Sequence, residues 1–240
     1  MSQITTVIFD MYETLVENGP HLWQATFQEI IDSQQLPVST GDLWREWKAA
    51  EVNFRNRRLK PESPFESYFE GWRECFIDAF RVFDLHGDPE AAAHKSILDM
   101  SLRVPYAETV EALEAIQGDW RMAVLSNADD GYLMPNVAGL GLNFAQVLSS
   151  EEGRAYKPEP GLFQEMLRRL DVTPSEAAYV GDRQFEDVQG ASSVGMPTVW
   201  INRTGAPLDP GLPKPDHQIK SLLEIPGSLP ELPAGIWGPA

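Results

Sequence analysis

The chain has 240 residues, 42% of them hydrophobic and 23% charged, enough to bury one large core or a core with an inserted smaller one. Acidic residues outnumber basic ones 36 to 19, and the formal net charge of −17 repels a nucleic-acid backbone and an anionic membrane alike. The single cysteine, Cys75, excludes an intramolecular disulfide and a Cys-based zinc cluster. No apolar run approaches the roughly 20 residues of a membrane span. The opening MSQITTVIFD lacks the basic start and small-residue cleavage site of a signal peptide. These features lead to the expectation of a cytoplasmic monomer or homodimer without nucleic-acid or membrane partners.

In chain order, Ile4–Phe9 is a short β-branched run ending at Asp10 and reads as a buried strand. From about Glu17 to Ala93 apolar residues recur at helical spacing, as in Trp23, Phe27, Ile30 and Ile31, and again in Phe65, Phe69, Trp72, Phe76 and Phe80. Pro37 and the Pro61/Pro64 pair mark breaks between helices. After Leu102 the texture alternates. A helix near Glu108–Ile116 precedes a strand at Arg121–Leu125, and a helical stretch leads to a short strand near Val147–Leu148. The helix Gly161–Leu170 precedes the strand Ala177–Val180, and a helix near Phe185–Val194 precedes Pro197–Ile201. This alternation predicts an α/β fold, a Rossmann-like, mostly parallel sheet interrupted after its first strand by an all-helical insert. The expected division is a core of residues 1–16 and 100–225, a helical cap of 17–99, and a Pro/Gly-rich tail of 226–240.

Four short motifs fall at the carboxyl ends of predicted strands, the edge where open α/β sheets bind ligands. They are Phe9-Asp10-Met11-Tyr12-Glu13-Thr14-Leu15, Leu125-Ser126-Asn127, Lys157-Pro158, and the run Val180-Gly181-Asp182 through Asp187 to Ala191. Each alone is ordinary turn, cap or surface chemistry. Their order and placement together resemble the haloacid dehalogenase-like (HAD) hydrolase superfamily, over nearly the whole chain and including a helical cap directly after the first motif. The resemblance implies that Asp10 is a nucleophile attacking phosphorus or carbon. It implies that Ser126, Asn127 and Lys157 hold an anionic substrate, with Thr14 counted among the substrate-binding residues. In the family's phosphatases it implies Mg²⁺ on Asp10, the Tyr12 backbone carbonyl and Asp182, supported by Asp187. The physics is consistent: a carboxylate attacking a phosphoryl group needs the charge of both neutralised, and Mg²⁺ takes hard oxygen ligands.

The first and fourth motifs point in different directions. Where the superfamily's phosphatases carry a second Asp as general acid, this chain has Tyr12, as do the dehalogenases, which resemble Asp-x-Tyr-Gly-Thr; Glu13 then replaces the Gly. The dehalogenases resemble Ser-Ser-Asn-x-x-Asp in the fourth motif and use no metal, whereas Gly181-Asp182 with one further residue before Asp187 matches the phosphatase form. The expectation is Mg²⁺-dependent hydrolysis of a small phosphorylated metabolite. The alternatives are a 2-haloacid dehalogenase and a degenerate family member with little turnover. Of the basic run Arg55-Asn56-Arg57-Arg58 in the cap, Arg55 is the candidate contact for an anionic part of the substrate. Trp23 and Trp47 are candidate pocket-lining residues. Arg203, after the last strong strand, is a candidate for the edge of the site.

Overall fold

The computed structural model describes residues 3–60 and 62–229. Strand β1 (Thr6–Phe9) is buried along its whole length, as its run of β-branched and aromatic residues requires. It pairs in parallel with β2 (Arg121–Ser126) on one side and β4 (Ala177–Gly181) on the other, so that Phe9 lies level with Val124 and Val180. With β3 (Gln146–Ser149), β5 (Thr198–Ile201) and β6 (His217–Ile219) they form a six-stranded parallel sheet of order β3-β2-β1-β4-β5-β6. The order reverses between β1 and β4. Asp10, Ser126 and Gly181 therefore stand at carboxyl ends around the switch point, where such sheets open a crevice.

Contacts divide the chain into two compact units. The α/β unit takes the described residues of 1–17, 104–127 and 137–240. Its helix α5 (Pro160–Leu170) buries Leu162, Phe163, Met166, Leu167 and Leu170, a helical stripe that packs on Ile8, Leu125 and Tyr179. The stretch expected as a helix near 185–194 is instead a wide π-type turn, Gln184–Gln189, followed by one short α-helical turn, Gly190–Ser193. The physical reason is local: Asp187 accepts from the Arg183 N–H at 2.8 Å and so pulls the turn back on itself. Strand β6 gives no sequence signal, because His-Gln-Ile carries no alternation. Ile225–Ser228 forms a short helix at the start of the expected tail, most of which lies outside the described residues.

The helical unit comprises 18–103 and, unlike the expected cap, also 128–136. Its helices are α1 (Pro20–Gln34), α2 (Thr40–Arg57), α3 (Tyr68–Val82) and α4 (Pro89–Met100). Ser39, Ser67 and Asp88 cap α2, α3 and α4 with side-chain oxygens. Pro37 and Pro64 fall between helices; Pro61 lies outside the described residues. Phe65 belongs to the loop before α3 rather than to its apolar stripe. Trp23 and Trp47 are interior residues, 5.3 Å apart between ring centroids, with Trp72 edge-on to Trp23 at 5.1 Å. Segment 128–136 joins this unit because the Asp129 carboxylate accepts from the Tyr68 and Phe69 N–H groups at 2.8 Å, and Tyr132 stacks on Trp72. Cys75 is a buried core thiol, pushed up to about 12 by burial and so chemically quiet.

A glycine tests this packing. A Cβ at Gly71 in α3 would lie 2.5 Å from the ring of Phe54, which is itself buried. A helical Gly→Ala change ordinarily stabilises by about 1 kcal/mol. Here overpacking reverses the sign, and Gly71→Ala is expected to lower the melting temperature by about 5 °C. A thermal melt that rises instead would show the Phe54 contact to be loose.

Candidate active site

The site is built on the ends of β1, β2 and β4 and on the loop before α5. Lys157 is 2% exposed, and its three ammonium donors are all engaged. Nζ donates to Asp10 Oδ1 at 2.7 Å, to Asp187 Oδ1 at 2.6 Å and to the Tyr179 hydroxyl at 2.7 Å. Ser126 Oγ also donates to Asp10 Oδ1, at 2.8 Å. Both bonds on Asp10 thus converge on one oxygen, and no donor among the described residues reaches Oδ2. The backbone of Lys157 is fixed as well: its N–H donates to Asn127 Oδ1 at 2.7 Å, and Asn127 Nδ2 donates to its carbonyl at 3.1 Å.

Oxygens of Asp10, Asp182 and Asp187 lie within 4.8 Å of one another. Three carboxylates therefore face one ammonium. Burial lowers the affinity of Lys157 for its proton, but the Asp10 and Asp187 carboxylates outweigh it and raise its pKa well above the ordinary value. Burial, reinforced by Asp187 and Asp10, raises Asp182 well above the carboxylate range. Asp187 is pushed up to about 6 by burial, with Lys157 opposing. Among the described residues, no donor reaches the Asp182 carboxylate; its backbone carbonyl accepts from Trp200 Nε1 at 2.8 Å. Gly181 makes the approach of Asp187 possible, since a Cβ there would lie 2.4 Å from Asp187 Cγ.

The loop after β1 is held from a distant part of the chain. Arg203 donates from Nη2 to the Thr14 carbonyl at 2.9 Å, pairs through Nη1 with Glu108, and stacks 3.7 Å above the Tyr106 ring. The Tyr106 hydroxyl donates to Glu13 at 3.0 Å. Glu13 has φ 63°, a left-handed conformation suited to glycine, which accounts for the Gly of the dehalogenase-like pattern here. It is a bonded, half-buried residue and not the surface residue of a loop.

Asp10, Ser126, Lys157, Asp182 and Asp187 thus come together. Three of the expected substrate contacts are engaged or buried within the chain. All three ammonium donors of Lys157 go to Asp10, Asp187 and Tyr179. The Asn127 side chain brackets the Lys157 backbone. Thr14 is fully buried, its hydroxyl without a partner among the described residues. Tyr12 is half-buried in the same loop, bridged to Val16. Arg55 lies on α2, its guanidinium 3.2 Å from Glu51. Tyr179 and Trp200 fall outside the four motifs; a tyrosine two residues before Gly181, on the same strand face, is the signal the sequence offers for the first. Arg203, the candidate for the edge of the site, holds the loop after β1.

A family model described as haloacid dehalogenase-like hydrolase matches residues 4–195. An (S)-2-haloacid dehalogenase of Pseudomonas sp. strain CBS-3 is 35% identical, the match covering 95% of this chain and 98% of that protein. A phosphoserine phosphatase of Thermus thermophilus is 37% identical, over 80% of this chain and 92% of that protein. The crystal structure of a 2-haloacid dehalogenase from Pseudomonas syringae superposes with a TM-score of 0.68 at 25% identity, covering 94% of this chain and 98% of that one. The chain belongs to the haloacid dehalogenase-like hydrolase family. Dehalogenases predominate among its relatives, which support the 2-haloacid alternative better than phosphate hydrolysis. No helix among the described residues is long and apolar enough to cross a membrane.

Opposite effects on stability are expected from two substitutions. Lys157→Met leaves buried carboxylates uncompensated at neutral pH and should cost about 3–5 kcal/mol, a drop of about 10 °C in Tm. A carboxyl raised in the folded state favours the fold while protonated, and that contribution is lost as pH climbs through the folded-state value. The Asp182 anion therefore opposes folding at neutral pH. Asp182→Asn should raise Tm by a few degrees at pH 7.5 in EDTA, with the gain shrinking toward pH 4. Melts in which Asp182→Asn is destabilising at pH 7.5 would refute this charge balance.

Proposed function

We propose that the protein hydrolyses small phosphate esters through an aspartyl intermediate on Asp10, assisted by Mg²⁺. The observation that carries this reading is Asp182: a third carboxylate, without a donor among the described residues, beside two others that share one ammonium. The donor set fits a divalent cation, being all hard oxygen and in excess of negative charge over Lys157. Asp10, Asp182 and the Tyr12 carbonyl would hold Mg²⁺, with Asp187 supporting. Bound Mg²⁺ supplies positive charge that lets an anionic substrate approach an anionic nucleophile.

The chain's own groups do the rest. Lys157 and Ser126 hold Asp10 by Oδ1 and leave Oδ2 to attack, forming the acyl phosphate as the ester oxygen departs. Water then hydrolyses that intermediate and regenerates the carboxylate. With Tyr12 in place of a carboxylic acid, the leaving group receives little help, since a phenol of pKa near 10 is a weak donor at neutral pH. Aryl and acyl phosphates, whose leaving groups need no proton, are the favoured substrates.

A second reading, dehalogenation of a 2-haloacid by attack of Asp10 on carbon, is supported by the relatives and by Tyr12, because a departing halide takes no proton. Its difficulty is the charge of Asp182, which repels a carboxylate substrate unless it is protonated or screened.

A screen of phosphorylated metabolites and 2-haloacids, with Mg²⁺ and with EDTA, separates the two. Phosphatase activity lost in EDTA and in Asp182→Ala is expected; haloacid turnover unaffected by EDTA would favour the second reading and overturn the first. Tyr12→Asp should raise alkyl phosphate turnover, within a ceiling of about 10²–10⁴-fold, and change aryl phosphate turnover little. A fall in 2-haloacid turnover in that variant is the signature of the second reading.

A further inference from the structure

We propose that Tyr179 is a positioning residue for Lys157, aiming its ammonium at one oxygen of the nucleophile whichever leaving group Asp10 displaces. The phenol stands on β4 and reaches two other parts of the site. It donates to the carbonyl of Leu125, the residue before Ser126, at 2.7 Å, and it accepts from Lys157 Nζ at 2.7 Å. Its single proton is committed to Leu125, so an oxygen lone pair is what it offers the lysine. Burial raises the phenol's pKa well above its ordinary value and keeps that proton in place.

The consequence is geometric. An ammonium has three donors, and two of them reach carboxylates from different segments, Asp10 just after β1 and Asp187 in the turn after β4. The neutral hydroxyl takes the third. Without it, Nζ keeps an unmade donor in a buried position, a costly state, and swings toward whatever oxygen is near. The nearest uncommitted carboxylate oxygen on its existing partners is Asp10 Oδ2, the one left for attack. Tyr179 thus protects the division of labour between the two oxygens of Asp10. Its ring is held in turn by Phe163, edge-on with centroids 5.3 Å apart.

The test reads the ammonium directly and needs no substrate. In ¹H–¹⁵N spectra tuned to lysine side chains, the wild-type protein should show one slowly exchanging ammonium signal that is absent from Lys157→Met. In Tyr179→Phe that signal should exchange at least about tenfold faster or vanish. On p-nitrophenyl phosphate or 2-chloropropionate, whichever is turned over, kcat should fall about tenfold or more with KM within twofold, since a misplaced group costs rate more than binding. Phe163→Leu disturbs the same core without touching the hydroxyl, and should lower Tm while the ammonium stays protected. A Tyr179→Phe protein with wild-type ammonium exchange and wild-type kcat overturns the proposal. So does a wild-type protein with no protected ammonium signal, a result that stands even where Tyr179→Phe fails to fold.

Discussion

A single buried cation organises the α/β unit. Lys157 draws Asp10 from the end of β1 and Asp187 from the turn after β4 onto one point, with Tyr179 closing the third side. Burying that ammonium is unfavourable by itself, and two carboxylates compensate it. The surrounding backbone is arranged to hold it still: Asn127 brackets the main chain of Lys157, and Ser126 shares its oxygen on Asp10. Strand register places Phe9 level with Val124 and Val180, and so sets these groups within reach of one another.

The same cation is outnumbered. With Asp182 included, the site holds more negative charge than Lys157 balances, and burial together with the neighbouring carboxylates raises the proton affinity of Asp182 and Asp187. Excess charge of this kind is tolerated where a ligand will offset it and relieved elsewhere, which is why perturbed carboxyls collect at functional sites. The relatives include enzymes of both kinds, a haloacid dehalogenase and a phosphoserine phosphatase, on comparable identity. The fold is common ground for the two chemistries, and the difference lies in a handful of side chains at the strand ends.

Much of this is legible in the sequence, and the reasons for success and failure are physical. Strand β1, the α5 stripe and the carboxyl-end motifs follow from periodicity and from the rule that open sheets bind at that edge. The allegiance of 128–136 is not legible, because it rests on Asp129 meeting two N–H groups some 60 residues away in the chain. The π-type turn has the residue pattern of an ordinary helix, since its shape depends on where Asp187 must point. Asn127 and Thr14 stand out in their motifs, yet the Asn127 side chain bonds the Lys157 backbone and Thr14 is fully buried. Residue type marks a position near a site, but only the fold decides which neighbour takes its hydrogen bonds. The bond from Arg203 to the Thr14 carbonyl has no local signal at all, for it spans 189 positions.

The contact between Gly181 and Asp187 bears on how such a protein could evolve. The dehalogenase-like pattern has a Ser-Ser pair here, with one residue fewer before the following Asp. In this chain any side chain at 181 collides with the Asp187 carboxyl. A serine at 181 therefore requires the Asp187 carboxyl to move, and that carboxyl is one of the two counter-charges of Lys157. Position 181 and the path of the turn after β4 are thus coupled, and laboratory conversion between the two patterns is expected to begin from exchange of the whole turn rather than from a single substitution.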